Sequence, residues 1–309
     1  MNIKNYFLLY LKGIAMGLAD AIPGVSGGTI AFISGIYEEL IYSIRSFNIE
    51  AFRLIIEFKI KKFWLHINGT FLLVLFSGII SAILLMLRII LYCLKYYPEI
   101  LWSFFFGLII ASAIIIITKI SKFNKYILLY SILGLLIGLL LSNAIPKETT
   151  SALWFIFLSG AIAICAMILP GISGSFILVL LGKYEFILQS VKSFKFDIII
   201  LFILGAITGL LLFSHLLNWM LKNFYDYCIA LLTGIMIGSL VKVWPWKYTI
   251  KTYLDSHGNI KPLIQENVLP WNYYNLTNND PYFWTSLLFA LTGFVIVYSI
   301  YYYNNKKMN

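Results

Sequence analysis

An all-α polytopic membrane protein built from two inverted-topology repeats is the fold class that this sequence predicts. Three observations carry that expectation. Of the 309 residues, 61% are hydrophobic and only 12% charged, about half the charge of a soluble domain. Long apolar runs recur along the whole chain. One unusual segment also occurs twice, as Asp20-Ala-Ile-Pro-Gly-Val-Ser-Gly-Gly-Thr29 and as Met167-Ile-Leu-Pro-Gly-Ile-Ser-Gly-Ser-Phe176. Each copy sets a Pro-Gly-aliphatic-Ser-Gly breaker inside hydrophobic sequence. In lipid, non-helical backbone survives only within protein or against a water-filled cavity.

The elements follow in order. Residues 6–21 and 29–46 flank the first break, and 153–168 and 175–192 flank the second. Such arms, at about 16 to 18 residues, are short for a full crossing. Each pair therefore reads as a helical hairpin that re-enters the bilayer. Apolar runs lie at 69–92, 99–118, 126–143, 197–221, 226–243 and 283–303. These approach the length that spans a ~30 Å core at ~1.5 Å per residue. One broken hairpin plus three transmembrane helices makes each repeat, residues 1–147 and 148–309 of a single membrane domain, 1–309.

The halves align by sequence. A shift of 147 places 13–47 on 160–194 with thirteen identities in thirty-five positions, among them Pro23/Pro170, Gly24/Gly171, Ser26/Ser173, Gly35/Gly182, Tyr37/Tyr184 and Glu38/Glu185. A shift of 127 then pairs Gly78 with Gly205, Arg88 with His215, Gly107 with Gly234 and Ser112 with Ser239. The basic connector around 48–68 absorbs the change. A shift of 159 pairs Gly134 with Gly293, skipping a polar, aromatic-rich loop insertion at about 244–281 that belongs to the second half alone. A hairpin contributes zero or two crossings, so each repeat crosses an odd number of times and the second is inverted. Inverted repeats with broken helices are a recurring transporter architecture.

Charge and rare residues exclude several classes. The net charge is +10, but no basic cluster with interleaved aromatics suggests nucleic acid. The lysines sit between apolar runs, where anionic lipid and the positive-inside rule account for them. The densest clusters, around Arg53–Lys62 and Lys119–Lys125, place both termini in the cytoplasm. Cys93, Cys165 and Cys228 form no disulfide framework, and His66, His215 and His257 have no acidic neighbour at ligand spacing, so no metal or cofactor is expected. Lys12 interrupts the first apolar run, which argues against a cleavable signal.

The breaks are the first chemical candidate. Gly27, Gly28 and Gly174 permit tight backbone, and Ser26, Thr29, Ser173 and Ser175 can cap the helices that follow. Helix N-termini suit an anion such as phosphate. The competing reading is a tight turn whose small residues allow close packing. Arg88 and His215 are matched across the repeat at membrane depth, where a charge is costly and by default functional. Arg88 offers a guanidinium fork for phosphate oxygens, His215 a donor that titrates near neutrality. Snorkelling toward the interface is the alternative for Arg88. Asp20 stands just before the first break without a counterpart. It could carry a proton, pair with a base or bond the loop locally. Glu38 and Glu185 recur in Gly-x-Tyr-Glu as candidate gating or coupling carboxylates, or as interfacial helix residues. Trp244-Pro-Trp-Lys247 reads as an aromatic belt and helix stop.

These residues resemble the bacterial polyprenyl-phosphate transporter family. The likeness rests on Gly17–Thr29 with Gly35-Ile-Tyr-Glu38, on Ile164–Phe176, and on Ala230–Ser239 ending in Trp244-Pro-Trp-Lys247. It covers nearly the whole chain. Where His215 stands, such proteins often have arginine. The resemblance implies that undecaprenyl phosphate, the lipid carrier of cell-wall precursors, is flipped from the outer to the inner leaflet of the bacterial cytoplasmic membrane by alternating access. Coupling to H+ or Na+ fits the family. A membrane phosphatase or phosphotransferase acting on the same lipid is the rival class, but no histidine–carboxylate–arginine set appears. An ion channel or exchanger is the third, with Asp20 its best hook.

Overall fold

The first apolar arm forms helix α1 (Ile3–Asp20), which stops at the first break. In the computed structural model residues 3–20, 26–147, 149–254 and 260–306 are described, so the first Pro-Gly pair, at 23–24, lies outside the described residues. Past the break Ser26 caps α2 (Gly27–Ile33), its Oγ accepting the Gly28 N–H at 3.1 Å. Gly35, at φ +73°, lies between α2 and α3 (Tyr37–Arg45) and lets the chain leave in a new direction. The short helices α4 (Ile49–Ile56), capped by Asn48, and α5 (Ile60–His66) make up the basic connector. Helix α6 (Gly69–Tyr96) turns at Tyr97 into α7 (Pro98–Ile117), where proline fills a position whose N–H needs no helical partner. Asn124 then caps α8 (Lys125–Ser142), accepting the Tyr126 and Ile127 N–H groups.

The second half runs α9 (Leu153–Ile168), α10 (Gly174–Leu180), α11 (Tyr184–Lys192), α12 (Phe196–Asn223) and α13 (Tyr225–Val243). Here α10 and α11 meet at 105°, with Gly182 at φ +63° between them. The far arm of each hairpin is thus two helices, not one. The Gly-x-Tyr-Glu motif is the joint: a left-handed glycine ends one helix, and Glu38 or Glu185 falls in the first turn of the next, where a carboxylate favours the helix dipole.

The insertion departs from an all-α chain. Its residues form a two-stranded antiparallel hairpin, β1 (Lys247–Leu254) with β2 (Ile260–Asn267), then α14 (Pro270–Thr277). Lys247-Tyr-Thr-Ile-Lys-Thr-Tyr-Leu254 is rich in β-branched and aromatic residues that favour strand. The chain closes with α15 (Phe283–Lys306). Among the described residues α7, α8, α12 and α13 are long and apolar enough to cross a membrane, and up to six spans result if each bent pair counts as one. This is a mostly helical, multi-pass membrane protein.

Element boundaries recur at the offsets read from the sequence. Helices α2 and α3 return 147 residues later as α10 and α11, and α6 returns 127 later as α12. The packing recurs as well. A Cβ on Gly13 would meet the Leu75 carbonyl oxygen, and one on Gly160 that of Phe202; Gly78 faces Tyr10, and Gly205 faces Phe157. Gly107 faces Ala290 as Gly234 faces Ser131, and Gly134 faces Leu231 as Gly293 faces Phe104. Such approaches of backbone to backbone are how helices associate where lipid removes the hydrophobic drive.

These contacts also fix directions. Gly13 and Gly17 of α1 meet Leu75 and Ile79 of α6, rising together, so the two helices are parallel. The same holds for α9 with α12, through Phe157–Gly205 and Ala161–Gly209. Tyr130–Tyr227 and Ser142–Gly238 make α8 parallel to α13. Tyr97–Tyr282 and Thr118–Tyr301 make α7 parallel to α15. Helices α7 and α13 oppose each other: Phe106 meets Trp244, while the Ser121 N–H reaches Asp226. These two form the centre, 56% and 61% buried, against 17% for α8 and α12.

Candidate functional site

Both breaks return the chain on itself. Lys12 of α1 donates to the Ser34 carbonyl at 2.7 Å, and Lys183, past α10, donates to the Thr149 carbonyl at 2.7 Å. Each lysine thus ties the returning arm beside its own approach.

At their tips the breaks meet. Ser26 Oγ donates to the Met167 carbonyl at 3.0 Å, and Thr29 Oγ1 accepts the Gly171 N–H at 2.9 Å. Tyr37 donates to the Ile168 carbonyl at 3.3 Å. The last carbonyls of α9 have no helical partner of their own, and hydroxyls from the other half satisfy them. Gly171, at φ +86°, brings its Cα side within contact of Met236, where a Cβ would lie 2.9 Å from the Met236 Cα.

Among its described residues the first break is already hydrogen-bonded. Asp20 accepts the Gly27 N–H at 2.7 Å, Ser26 the Gly28 N–H, and the Ser26 carbonyl the Thr29 N–H. Ser26 and Thr29 are 1% and 0% exposed. Asp20 therefore acts as a local anion on α2, bonding the loop itself.

The second break is open. Ser173 makes no capping bond to α10; its Oγ lies 2.7 Å from that of Ser175. Gly171, Ser173 and Phe176 line a small cavity of about 10 Å³, room for one water, with Ser142, Ser239 and Lys242 on its other walls. Gly174 is buried against the Ala163 carbonyl.

The remaining candidates lie elsewhere. Arg88 is on α6, and its side chain is outside the described residues. His215 faces outward on α12, and its Nδ1 lies 2.8 Å from the Leu211 carbonyl oxygen, so that hydrogen bond stays within its own helix. Glu38 borders a separate cavity of about 300 Å³ with Glu39, Tyr42, Asn218 and Lys222. In Glu185, Oε1 is buried and has no hydrogen-bond partner among the described residues. Among those residues no group of three metal-ligating side chains converges.

Lys242 and Ser142 were missed by sequence reasoning. A signal existed: Lys242 is the single basic residue of the run 226–243, but it falls in the last turn, where a lysine ordinarily snorkels outward. Lys247, just beyond α13, donates to the Lys242 carbonyl at 2.5 Å and stands 4.5 Å over the Trp102 ring. Burial, then the Lys242 charge, pull its ammonium from 10.5 down to about 7. Between about 7 and 10 the unfolded chain holds a proton there that the folded chain releases, so stability rises with pH across that window. Thermal melts of purified protein should show this rise, and Lys247→Met should flatten it.

Comparison with known proteins is consistent over most of the chain. Residues 16–261 match the undecaprenyl phosphate translocase-like family. A polyprenyl-phosphate transporter of Vibrio cholerae serotype O1 is 42% identical over 302 residues, covering 98% of each chain. A polyprenyl-phosphate transporter of Staphylococcus aureus is 31% identical over 254 residues, 76% of this chain and 85% of that one. No solved structure matches.

Proposed function

The chain belongs to the undecaprenyl phosphate translocase-like family, and from that premise we propose that it carries undecaprenyl phosphate across the bacterial cytoplasmic membrane, from outer to inner leaflet. It is a transporter and not an enzyme, as the family and its relatives are named. Return of the carrier to the inner leaflet serves reuse in cell-wall precursor synthesis. Both termini are cytoplasmic in this reading, which leaves the cluster Arg53–Lys62 on the positive side.

The observation that carries the reading is the meeting of the two breaks through Ser26–Met167 and Thr29–Gly171. Two inverted-topology repeats would bring their broken hairpins together in this way. The parallel pairs α1/α6 and α9/α12, the opposed α7 and α13, and the recurring glycine contacts support that arrangement. Rocking of one half against the other would part the breaks and expose the phosphate to either face in turn, while the prenyl chain stays in lipid. Arg88 and His215, paired by the 127-residue shift on α6 and α12, would receive the head group along the way. For a coupling ion, H+ or Na+, Glu38 beside its cavity and the unpartnered Glu185 oxygen are better placed than Asp20, which bonds the loop.

The test is leaflet-to-leaflet movement of polyprenyl monophosphate in proteoliposomes of the pure protein. Wild type should accelerate it over protein-free vesicles. Ser26→Ala, which leaves the Met167 carbonyl and the Gly28 N–H without their partner, should slow it about tenfold or more. Arg88→Ala should slow it with folding preserved. No acceleration by wild type, or release of inorganic phosphate from the lipid, would overturn the reading.

A further inference from the structure

We propose that the cavity between the second break and the end of α13 seats the phosphate monoester of the lipid, with the Lys242 ammonium as its charge partner. This rests on the transport reading and names the group that neutralises the cargo.

The case begins with how this chain treats its inward-lying lysines. Lys12 donates to the Ser34 carbonyl, Lys183 to the Thr149 carbonyl and Ser151 hydroxyl, and Lys247 to the Lys242 carbonyl. Lys242 is different. Among the described residues it has no hydrogen-bond acceptor and no carboxylate; ion pairs there involve only Arg53, Glu57 and Lys59. Its Nζ rests 4.5 Å over the Phe176 ring instead. A partly desolvated ammonium needs an opposite charge or several acceptors. An aromatic face replaces only a fraction of that. The site is short of an anion.

The walls supply what a phosphate monoester would use. Ser173 and Ser175 face each other at 2.7 Å. One hydroxyl hydrogen is spent within that pair, and the other is free to donate. Ser239 holds the Met236 carbonyl at 2.7 Å, and Ser142 lies 3.4 Å from the Gly238 carbonyl, a long contact that an anionic acceptor would readily replace. Among the described residues nothing acidic lines the cavity.

At about 10 Å³ the space holds a water, not a phosphate. Phe176 is the element that must move. Its ring covers the ammonium from α10, so turning it aside both opens the volume and uncovers the charge. The resting state is then a capped seat, with the ring in the place of the cargo. A lipid head group fits better than free phosphate because Ser142 belongs to α8, a helix only 17% buried. A prenyl chain leaving along that outward face would stay in hydrocarbon.

The experiment is calorimetric titration of purified protein in detergent with polyprenyl monophosphate, the matching polyprenol, and inorganic phosphate. Wild type should bind the monophosphate at least tenfold tighter than the polyprenol or inorganic phosphate. Lys242→Gln should erase the preference over polyprenol, Lys242→Arg should retain it within about threefold, and both should melt like wild type. Should Lys242→Gln not fold, Phe176→Ala decides in its place: uncapping the seat should tighten monophosphate binding severalfold. Full monophosphate affinity in Lys242→Gln, or unchanged affinity in Phe176→Ala, overturns the seat while leaving the transport reading standing. Inorganic phosphate bound as tightly as the lipid overturns the head-group assignment. Wild type that binds no polyprenyl monophosphate overturns the transport reading, and the seat with it.

Discussion

Gly107→Leu is expected to abolish the folded protein. A Cβ at Gly107 would stand 1.9 Å from the Ala290 carbonyl oxygen, and that oxygen is backbone, which cannot swing away. Helix α15 would have to separate from α7 along its length. Water would drive two apolar helices back together, but lipid offers no such force, so close contact is most of what holds them. The cost should reach the top of the single-substitution range, on the order of 4 kcal/mol. Gly234→Leu, against the Ser131 carbonyl at 2.2 Å, should do the same to α8 and α13. Gly35→Ala provides the contrast. A Cβ there meets nothing within 4 Å, and only its φ of +73° resists, so the loss should be about 1 kcal/mol. Size-exclusion profiles and thermal melts in detergent would order the three. A monodisperse Gly107→Leu protein melting like wild type would show that the α7–α15 contact is dispensable.

Gly28→Ala is expected to stop transport with the helix pairs intact. Its new Cβ would lie 2.5 Å from the Ile168 carbonyl oxygen, in the seam where the two breaks touch. Relief requires the hairpin tips to part, which strains the Ser26–Met167 and Thr29–Gly171 hydrogen bonds. Two buried hydrogen bonds amount to about 2 to 3 kcal/mol, and about 1.4 kcal/mol is a factor of ten in rate. Lipid movement should therefore fall about a hundredfold, while the melting temperature should drop by several degrees without loss of the folded protein, because the long pairs α1/α6 and α9/α12 are untouched. Transport at the wild-type rate would mean that the seam does not move during the cycle.

The recurrence of elements along the chain was legible because each of its signals is local. Gly35 and Gly182 fall at the joints that their alignment implies, and Gly13, Gly78, Gly107 and Gly134 each face the same kind of carbonyl as their counterparts. The insertion was legible in position but not in form, since strand preference in a polar segment is decided by pairing. The far arms were read as single helices because hydrophobicity continues through Gly35 and Gly182, and only backbone sign at those glycines breaks them. The candidate site was legible in half. Ser26, Gly27, Gly28 and Thr29 look like their partners Ser173, Gly174 and Ser175 in sequence, yet Asp20 saturates the first set and Met167 leaves the second without such an anion.

By itself, then, the sequence determined the membrane class, the course of the long helices and the recurrence of its motifs, because apolar run length, glycine and proline act within a few residues of where they stand. The tertiary structure alone decided that the second break faces a cavity, and it put Lys242 beside Ser173 across 69 positions of chain. The reason is physical. A hydrogen-bond donor or a lone ammonium is defined by what it fails to find nearby, and in a folded chain its neighbours come from the other half.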